Sequence, residues 1–335
     1  MGIEPEQPFR KPLTEKTARN SIFMLTQSSD THRDIETIQI SMIRRESTAK
    51  KASQMCSLSQ SIRQLSKRAI KRANPTLSEQ ELKLLFIRYL YGSDLADRFS
   101  NYLIGITHFF YGNKKDLRFL KTISRQQSNR ETTATTMKQV ELIAAIEPVV
   151  KAFNQLSILY YIGGSIASSV YGMPRATQDI DLVVDLKPQQ IRFLVAQLES
   201  AYYIDEEMIM KALDQGTSFN LIHLDTMIKI DIFLVKDEPY HHAAFQRKRQ
   251  DTLDEEENSL QFYLASSEDI ILNKLDWFRI GGYVSDQQWR DIQGVLKIQQ
   301  PSLDLKYLVT WAKKLGLADW LEKAFQEAGI DNNPK

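Results

Sequence analysis

Two acidic residues stand inside an otherwise apolar run in the second half of the chain, and they constrain the fold more than any other feature. The run reads DIDLVV over residues 179–184. Its β-branched and aliphatic residues favour a strand, and side chains two residues apart on a strand project to the same face. We therefore predict that Asp179 and Asp181 point the same way from a largely buried strand.

A third carboxylate, Asp231, lies inside the apolar run IKIDIFLV over residues 228–235. Carboxylates that share one face repel each other, and their desolvation is costly unless a cation neutralises them. Oxygen ligands of this kind select Mg²⁺ or Mn²⁺. The three aspartates thus predict a divalent metal site, and the alternative is three solvent-facing aspartates at strand edges.

A pair of glycines, Gly163 and Gly164, ends another strand-like run, ILYYI over residues 158–162. Glycines allow a tight turn and a close backbone approach to a phosphate. Ser165 and the amides that start the following helix add hydrogen-bond donors and a positive dipole end. No histidine is placed to act as a base for Ser165, so we expect it to bind phosphate rather than to act as a nucleophile. A phosphate cradle beside paired carboxylates indicates nucleotide chemistry.

These three elements, Gly163–Ser165, Asp179–Asp181 and Asp231, together resemble the signature of the polymerase-β-like nucleotidyltransferase superfamily. Over about residues 137–330 the chain is similar to the bacterial AbiEii-type toxins and their minimal nucleotidyltransferase relatives. Arg175 and Thr177 match the usual Arg-x-Thr spelling that precedes the aspartates in that signature. Three separated elements that agree in spacing make the resemblance specific, whereas a lone Gly-Gly-Ser would not.

The resemblance implies a fold, an activity and a cofactor. The implied fold is α+β: a nucleotidyltransferase-type mixed sheet with flanking and C-terminal helices, preceded here by an all-α module. The implied activity is transfer of a nucleoside monophosphate from a nucleoside triphosphate to an acceptor hydroxyl, with Mg²⁺ or Mn²⁺ as cofactor. Asp179 and Asp181 would bind the metal with the triphosphate, and Asp231 would complete the metal site and help to deprotonate the acceptor.

Further residues are candidates for nucleotide binding. Relatives place a phosphate-binding lysine on a helix at the position of Lys274, and the alternative for Lys274 is a solvated helix face. Arg175 either holds a phosphate or anchors its loop. Arg290 and Asp291 echo an Arg-Asp pair of many relatives, and we interpret them as a structural ion pair, with a direct catalytic part as the alternative. The predicted nucleotide-binding residues are Gly163, Gly164, Ser165, Arg175 and Lys274.

The hydrophobic pattern divides the chain into five segments. A helical segment ends at Asn74, because the following Pro75 disfavours helical geometry there, and Ser78 with Glu81 forms a capping box. After Pro239 the pattern predicts helices at about 268–280, 285–298, 303–315 and 317–328. The predicted segments are a loosely ordered lead-in (1–30), an all-helical module (31–110), a linker (111–136), a nucleotidyltransferase catalytic domain (137–238) and a C-terminal helical extension (239–330).

The two parts of the chain carry opposite charge. Residues 1–136 hold 23 Lys and Arg against 13 Asp and Glu, whereas residues 137–335 hold 20 against 29. The basic N-terminal module is therefore expected either to bind nucleic acid or to dock on the acidic catalytic half and mask its cleft. It is similar to the small helical proteins encoded next to such nucleotidyltransferases, which would make the chain a fusion of a toxin with an antitoxin-like module.

Composition excludes several classes of protein. The single cysteine, Cys56, excludes an internal disulfide framework, and no window of eighteen uninterrupted apolar residues predicts a membrane span. The N-terminus lacks the pattern of a signal peptide, so we expect a cytoplasmic protein. By analogy with related toxins the expected acceptor is a tRNA end. The alternatives are a protein hydroxyl, an aminoglycoside-like small molecule, or a catalytically silent nucleotide-binding regulator.

Overall fold

The computed structural model describes residues 33–111, 141–252 and 261–330. These residues form 13 α-helices and one seven-stranded mixed sheet. The predicted α+β class is therefore confirmed, including the helical N-terminal region and the C-terminal helices. The lead-in predicted for 1–30 lies outside the described residues, and so does the predicted linker apart from Tyr111.

Four helices make up the N-terminal region. They are α1 (Arg33–Arg45), α2 (Thr48–Ala73), α3 (Glu79–Tyr91) and α4 (Ser93–Tyr111). The capping box predicted at Ser78 and Glu81 is present, and α2 ends before Pro75 as expected. The apolar periodicity did not predict the break between α1 and α2, where the side chain of Ser47 accepts a backbone hydrogen bond and caps α2.

The sheet places the two aspartate-bearing strands side by side. Its strands are β1 (Leu159–Ile162), β2 (Asp179–Asp185), β3 (Tyr202–Tyr203), β4 (Ser218–His223), β5 (Lys229–Leu234), β6 (Arg249–Thr252) and β7 (Gln261–Leu264). Their order is β3-β4-β5-β2-β1-β7-β6. β2 and β5 run parallel at the centre, while β1 is antiparallel to β2 and β4 is antiparallel to β5.

Nine helices of the described residues surround the sheet. They are α5 (Glu141–Gln155), α6 (Gly164–Tyr171), α7 (Pro188–Leu198), α8 (Glu206–Gln215), α9 (Pro239–Arg247), α10 (Ser267–Ile280), α11 (Asp286–Gln299), α12 (Leu305–Lys314) and α13 (Ala318–Ala328). The last four match the helices predicted from the apolar period after Pro239. Within the three described stretches, no helix has both the length and the apolar character that crossing a bilayer requires.

The segment after Pro239 also contributes two strands that the helical pattern did not predict. β7 pairs in parallel with β1 through Ile162 and Leu264, and β6 pairs antiparallel with β7. β6 has the sequence RQDT, which shows no alternation of apolar and polar residues, and β7 has only four residues. Such short segments give a weak local signal. Their strand conformation comes from pairing, of β7 with β1 and of β6 with β7.

The N-terminal helices pack directly on the sheet region. Ala52, Met55 and Cys56 of α2 belong to the same buried cluster as the central strands. Residues of α3 and α4 form a second buried cluster with residues of β3, β4 and the β4–β5 turn. α1 contacts α11, where Glu36 and Lys297 form a buried ion pair with Oε1 and Nζ 3.0 Å apart. The described helices therefore share cores with the residues that follow them.

Candidate active site

The parallel register of β2 and β5 brings the predicted carboxylates together. Asp181 lies directly opposite Asp231, and Asp179 lies two residues before Asp181 on the same face. Burial, together with the neighbouring charges of Asp179 and Asp231, raises the pKa of Asp181 to about 6, although the charge of Lys274 and the N–H of Ser165 act in the opposite direction. This face of the sheet therefore carries negative charge that its surroundings do not fully compensate.

The glycine turn faces the carboxylate of Asp181. Gly164 has φ +52°, and a Cβ at this position would overlap that carboxylate, so the backbone needs a glycine here. The N–H of Gly163 donates to the backbone oxygen of Asp181 over 2.9 Å, and the N–H of Ser165 donates to its carboxylate. The turn that begins α6 thus presents backbone amides beside the aspartates, as a phosphate cradle requires.

Asp231 is held by two side chains that sequence reasoning did not single out. Asn220 of β4 donates to Oδ1, and Nζ of Lys229 donates to Oδ2 over 2.6 Å. Burial raises the pKa of Asp231 more than these partners lower it. Burial lowers the pKa of Lys229, but the hydrogen bond and charge of Asp231, together with the charges of Asp179 and Tyr91, raise it overall. The sequence contained one indication of the contact between Lys229 and Asp231, because Lys229 lies two residues before Asp231 on one strand.

The donor chemistry of this face fits a hard divalent cation. Asp179 and Asp181 offer carboxylate oxygens on one face, and the raised pKa of Asp181 reflects negative charge that a cation would neutralise. Among the described residues, no three acidic, histidine or cysteine side chains converge closely enough to form a metal site. Both oxygens of Asp231 are engaged by Asn220 and Lys229 instead. Asp179 and Asp181 are therefore the residues that would hold a metal first.

A buried ion network supports the turn and the loop before β2. Arg175 donates from Nε and Nη2 to the two carboxylate oxygens of Asp291, each over 2.8 Å. Nζ of Lys274 lies 2.6 Å from Oδ2 of Asp291, and Nη2 of Arg175 also donates to Oγ of Ser165 over 2.8 Å. Burial would raise the pKa of Asp291, but Arg175 and Lys274 outweigh it and lower the pKa. Asp291 thus ties three elements together beneath the glycine turn.

This network corrects two interpretations of the sequence. Lys274 does not lie on a solvated helix face, because it is 5% exposed and paired with Asp291. Asp291 is paired with Arg175 and Lys274 rather than with Arg290, which is exposed and donates to the backbone oxygen of Asp286. Adjacent residues on a helix project in different directions, so Arg290 and Asp291 face different surroundings.

The raised pKa of Asp181 predicts a pH dependence of stability in metal-free protein. A group whose pKa is raised by folding stabilises the fold when it is protonated, and this contribution is lost as the pH rises through its folded pKa. A shift from 3.8 to about 6 corresponds to up to about 3 kcal/mol. With a chelator present, Asp181→Asn should gain stability relative to the parent chain between about pH 4 and about pH 7.

Urea unfolding of both chains across that pH range measures the difference. A difference in unfolding free energy that stays constant with pH would show that Asp181 is not the group responsible. The same measurement with Mg²⁺ should shrink the difference, because a bound cation stabilises the ionised carboxylate of the parent chain.

The fold and the site define a class of protein: an α+β protein with clustered carboxylates on two adjacent parallel strands, beside a glycine turn at a helix start. No model of a known protein family matches the chain, and the search of curated proteins finds no match. Similarity is found among solved structures.

Three similar structures illustrate this. One is an antigenic nucleotidyltransferase-like protein from Paracoccidioides brasiliensis, at 19% identity and a TM-score of 0.36, covering 57% of this chain and 94% of that one. The antibiotic-resistance factor ANT(2'')-Ia has 14% identity and a TM-score of 0.32, covering 54% and 95%. The lincosamide antibiotic adenylyltransferase LnuA, solved with lincomycin, has 16% identity and a TM-score of 0.32, covering 48% and 98%.

Proposed function

We propose that this chain is a metal-dependent nucleotidyltransferase that moves a nucleoside monophosphate from a nucleoside triphosphate to an acceptor hydroxyl and releases pyrophosphate. One observation carries the proposal: Asp179, Asp181 and Asp231 share one face of adjacent parallel strands, and the carboxylate of Asp181 faces the amides of the Gly163–Ser165 turn. Carboxylates beside a phosphate cradle are the arrangement that phosphoryl and nucleotidyl transfer require.

Each group has a part in this proposal. The acceptor oxygen attacks the α-phosphorus, and the bond from that phosphorus to the oxygen bridging to the β-phosphate breaks. A divalent cation on Asp179 and Asp181 would supply charge neutralisation at the phosphate oxygens. The backbone amide of Gly164 and the N-terminal end of α6 bind the triphosphate. Asp231, whose pKa is raised, accepts the proton of the acceptor hydroxyl.

The proposal also names the acceptor that receives the nucleoside monophosphate. The resemblance to AbiEii-type toxins favours a tRNA end, and it implies that the chain acts as a toxin. The test incubates the full chain with α-labelled triphosphates, Mg²⁺ and bacterial extract, and then counts label in the tRNA, protein and small-molecule fractions. Label in tRNA supports the tRNA proposal, whereas label in protein or in an added aminoglycoside assigns the acceptor to that class. A double variant, Asp179→Ala with Asp181→Ala, is the control, and equal labelling by it would refute the assignment.

A catalytically silent nucleotide-binding protein is the second candidate. The ion pair between Lys229 and Asp231 favours it, because a lysine neutralises the carboxylate that would otherwise complete the site. Calorimetry with ATP, GTP, CTP and UTP in the presence of Mg²⁺, combined with the labelling experiment, distinguishes the enzyme from the silent nucleotide-binding protein. Binding without transfer to any fraction identifies the silent protein, and binding of none of the four excludes both candidates.

A further inference from the structure

Three side chains of the N-terminal helices reach the two points where the aspartate-bearing strands begin. Ser59 and Arg63 belong to α2, and Tyr91 is the last residue of α3. Ser59 and Arg63 are each 1% exposed, and Tyr91 is partly buried. Their hydrogen bonds lead to the loop that precedes β2 and to the turn that precedes β5.

Ser59 and Tyr91 form hydrogen bonds with the loop that precedes β2. The N–H of Thr177 donates to Oγ of Ser59 over 2.9 Å, and the hydroxyl of Tyr91 donates to the backbone oxygen of Gln178 over 2.9 Å. The hydroxyl of Thr177 in turn donates to Asp179, with Oδ1 3.1 Å away. The backbone that enters the strand with both aspartates is therefore fixed by side chains from α2 and α3.

The turn before β5 is held by Arg63 and, again, by Tyr91. Nη2 of Arg63 donates to the backbone oxygen of Thr226 over 2.7 Å, and the hydroxyl of Tyr91 lies 3.2 Å from the backbone oxygen of Met227. The N–H of Lys229 donates to that hydroxyl over 3.3 Å. Met227 has φ +61°, which is unusual for a large side chain, and its side chain is buried in the cluster with Phe86 of α3.

The hydroxyl of Tyr91 links the two strand starts. A phenol hydroxyl donates one hydrogen bond and accepts up to two. Here it has two carbonyls within donating reach, those of Gln178 and Met227, and it accepts from the N–H of Lys229 and from Nη1 of Arg63. Its hydrogen-bonding capacity is fully used, so its removal would leave backbone groups at both strand starts without this partner.

We infer that Ser59, Arg63 and Tyr91 are positioning residues, which hold the starts of β2 and β5 in the register that places Asp181 opposite Asp231. The catalytic consequence rests on the proposed function. The hydrogen bonds of Ser59, Arg63 and Tyr91 to the two strand starts involve backbone groups beside the aspartates, not the aspartate carboxylates. The N-terminal helices thus support the backbone of the site, and masking of the cleft by them stays a separate prediction.

The test compares Tyr91→Phe with Tyr89→Phe in the full chain. Both changes remove one hydroxyl from α3, but Tyr89 is 69% exposed, so it is a matched control. Hydrogen exchange followed by mass spectrometry reports peptides that cover 176–182 and 225–231. We expect Tyr91→Phe to speed exchange in both peptides by about tenfold, which corresponds to about 1.4 kcal/mol. Tyr89→Phe should leave both unchanged.

Calorimetric titration of each chain with Mn²⁺ and ATP measures the affinity for the nucleotide, which would not change if Tyr91 had only a structural role. Weaker binding by Tyr91→Phe, by about fivefold or more, together with local exchange, supports the inference. Unchanged exchange in either peptide, an equal rise in exchange throughout the chain, or unaltered Mn²⁺–ATP affinity overturns it. If the parent chain binds no Mn²⁺–ATP, the proposed function fails, and the exchange data still decide whether Tyr91 holds the two strands.

Discussion

Replacing Asp181 by Asn is expected to lower nucleotidyl transfer by at least about 10³-fold, while the chain stays folded. Asp181 lies at the centre of the site, opposite Asp231 and against the Gly164 backbone. An amide has nearly the same shape, but it carries no charge to hold a cation. Because folding raises the pKa of Asp181 to about 6, the neutral side chain should stabilise the fold at neutral pH. Loss of activity with a gain in stability identifies a residue retained for chemistry.

Asp185→Asn is the matched control for this change. Asp185 lies on the same strand and on the same face, four residues further along, and it pairs with Lys187 at the surface over 2.7 Å. Initial rates of label transfer should differ from those of the parent chain by less than about twofold, since a surface ion pair of this kind contributes little. An Asp181→Asn chain that transfers label at the parent rate would remove Asp181 from the proposed mechanism.

Replacing Asp291 by Ala is expected to destabilise the chain by about 3 to 5 kcal/mol. Asp291 accepts from Arg175 and Lys274, and Lys274 is buried with it. Removal of the carboxylate leaves the ammonium of Lys274 in a buried place without its partner, and this is the costly outcome for an ion pair. The change should also loosen the loop at Arg175, which holds Oγ of Ser165.

Arg290→Ala tests the pairing itself. Arg290 is the sequence neighbour of Asp291, is exposed, and donates to the backbone oxygen of Asp286. We expect its replacement to change the unfolding free energy by no more than about 0.5 kcal/mol. Urea denaturation of both variants beside the parent chain gives the comparison. Similar losses for Arg290→Ala and Asp291→Ala would contradict the network as described.

Local patterns predicted much of the architecture. The apolar runs in residues 179–184 and 228–235 predicted β2 and β5, because β-branched and aliphatic residues favour strands. The capping box at Ser78 and the apolar period of α10 to α13 predicted helices for the same kind of reason. Each of these predictions depends on residues that lie close together in the sequence.

These local patterns did not predict which residues distant in the sequence contact each other. β6 has no alternation and β7 has only four residues, so the local pattern did not predict their pairing with each other or the pairing of β7 with β1. The ion-pair partners of Asp291 depend on where α6, α10 and the loop at Arg175 meet. The adjacent Arg290 suggested the wrong ion-pair partner. Likewise, the role of Tyr91 follows from the meeting of α3 with two strand starts that lie far away in the sequence.

The sequence by itself determined which residues are strand, helix and turn around the site, and it determined that Asp179 and Asp181 share a face, since both depend on the covalent geometry of neighbouring residues. Only the tertiary structure decided that Asp231 lies opposite Asp181, that Lys229 and Asn220 hold Asp231, and that α2 and α3 support both strands. These contacts join distant residues, so packing and buried hydrogen bonds select them among many alternatives that the local pattern allows equally.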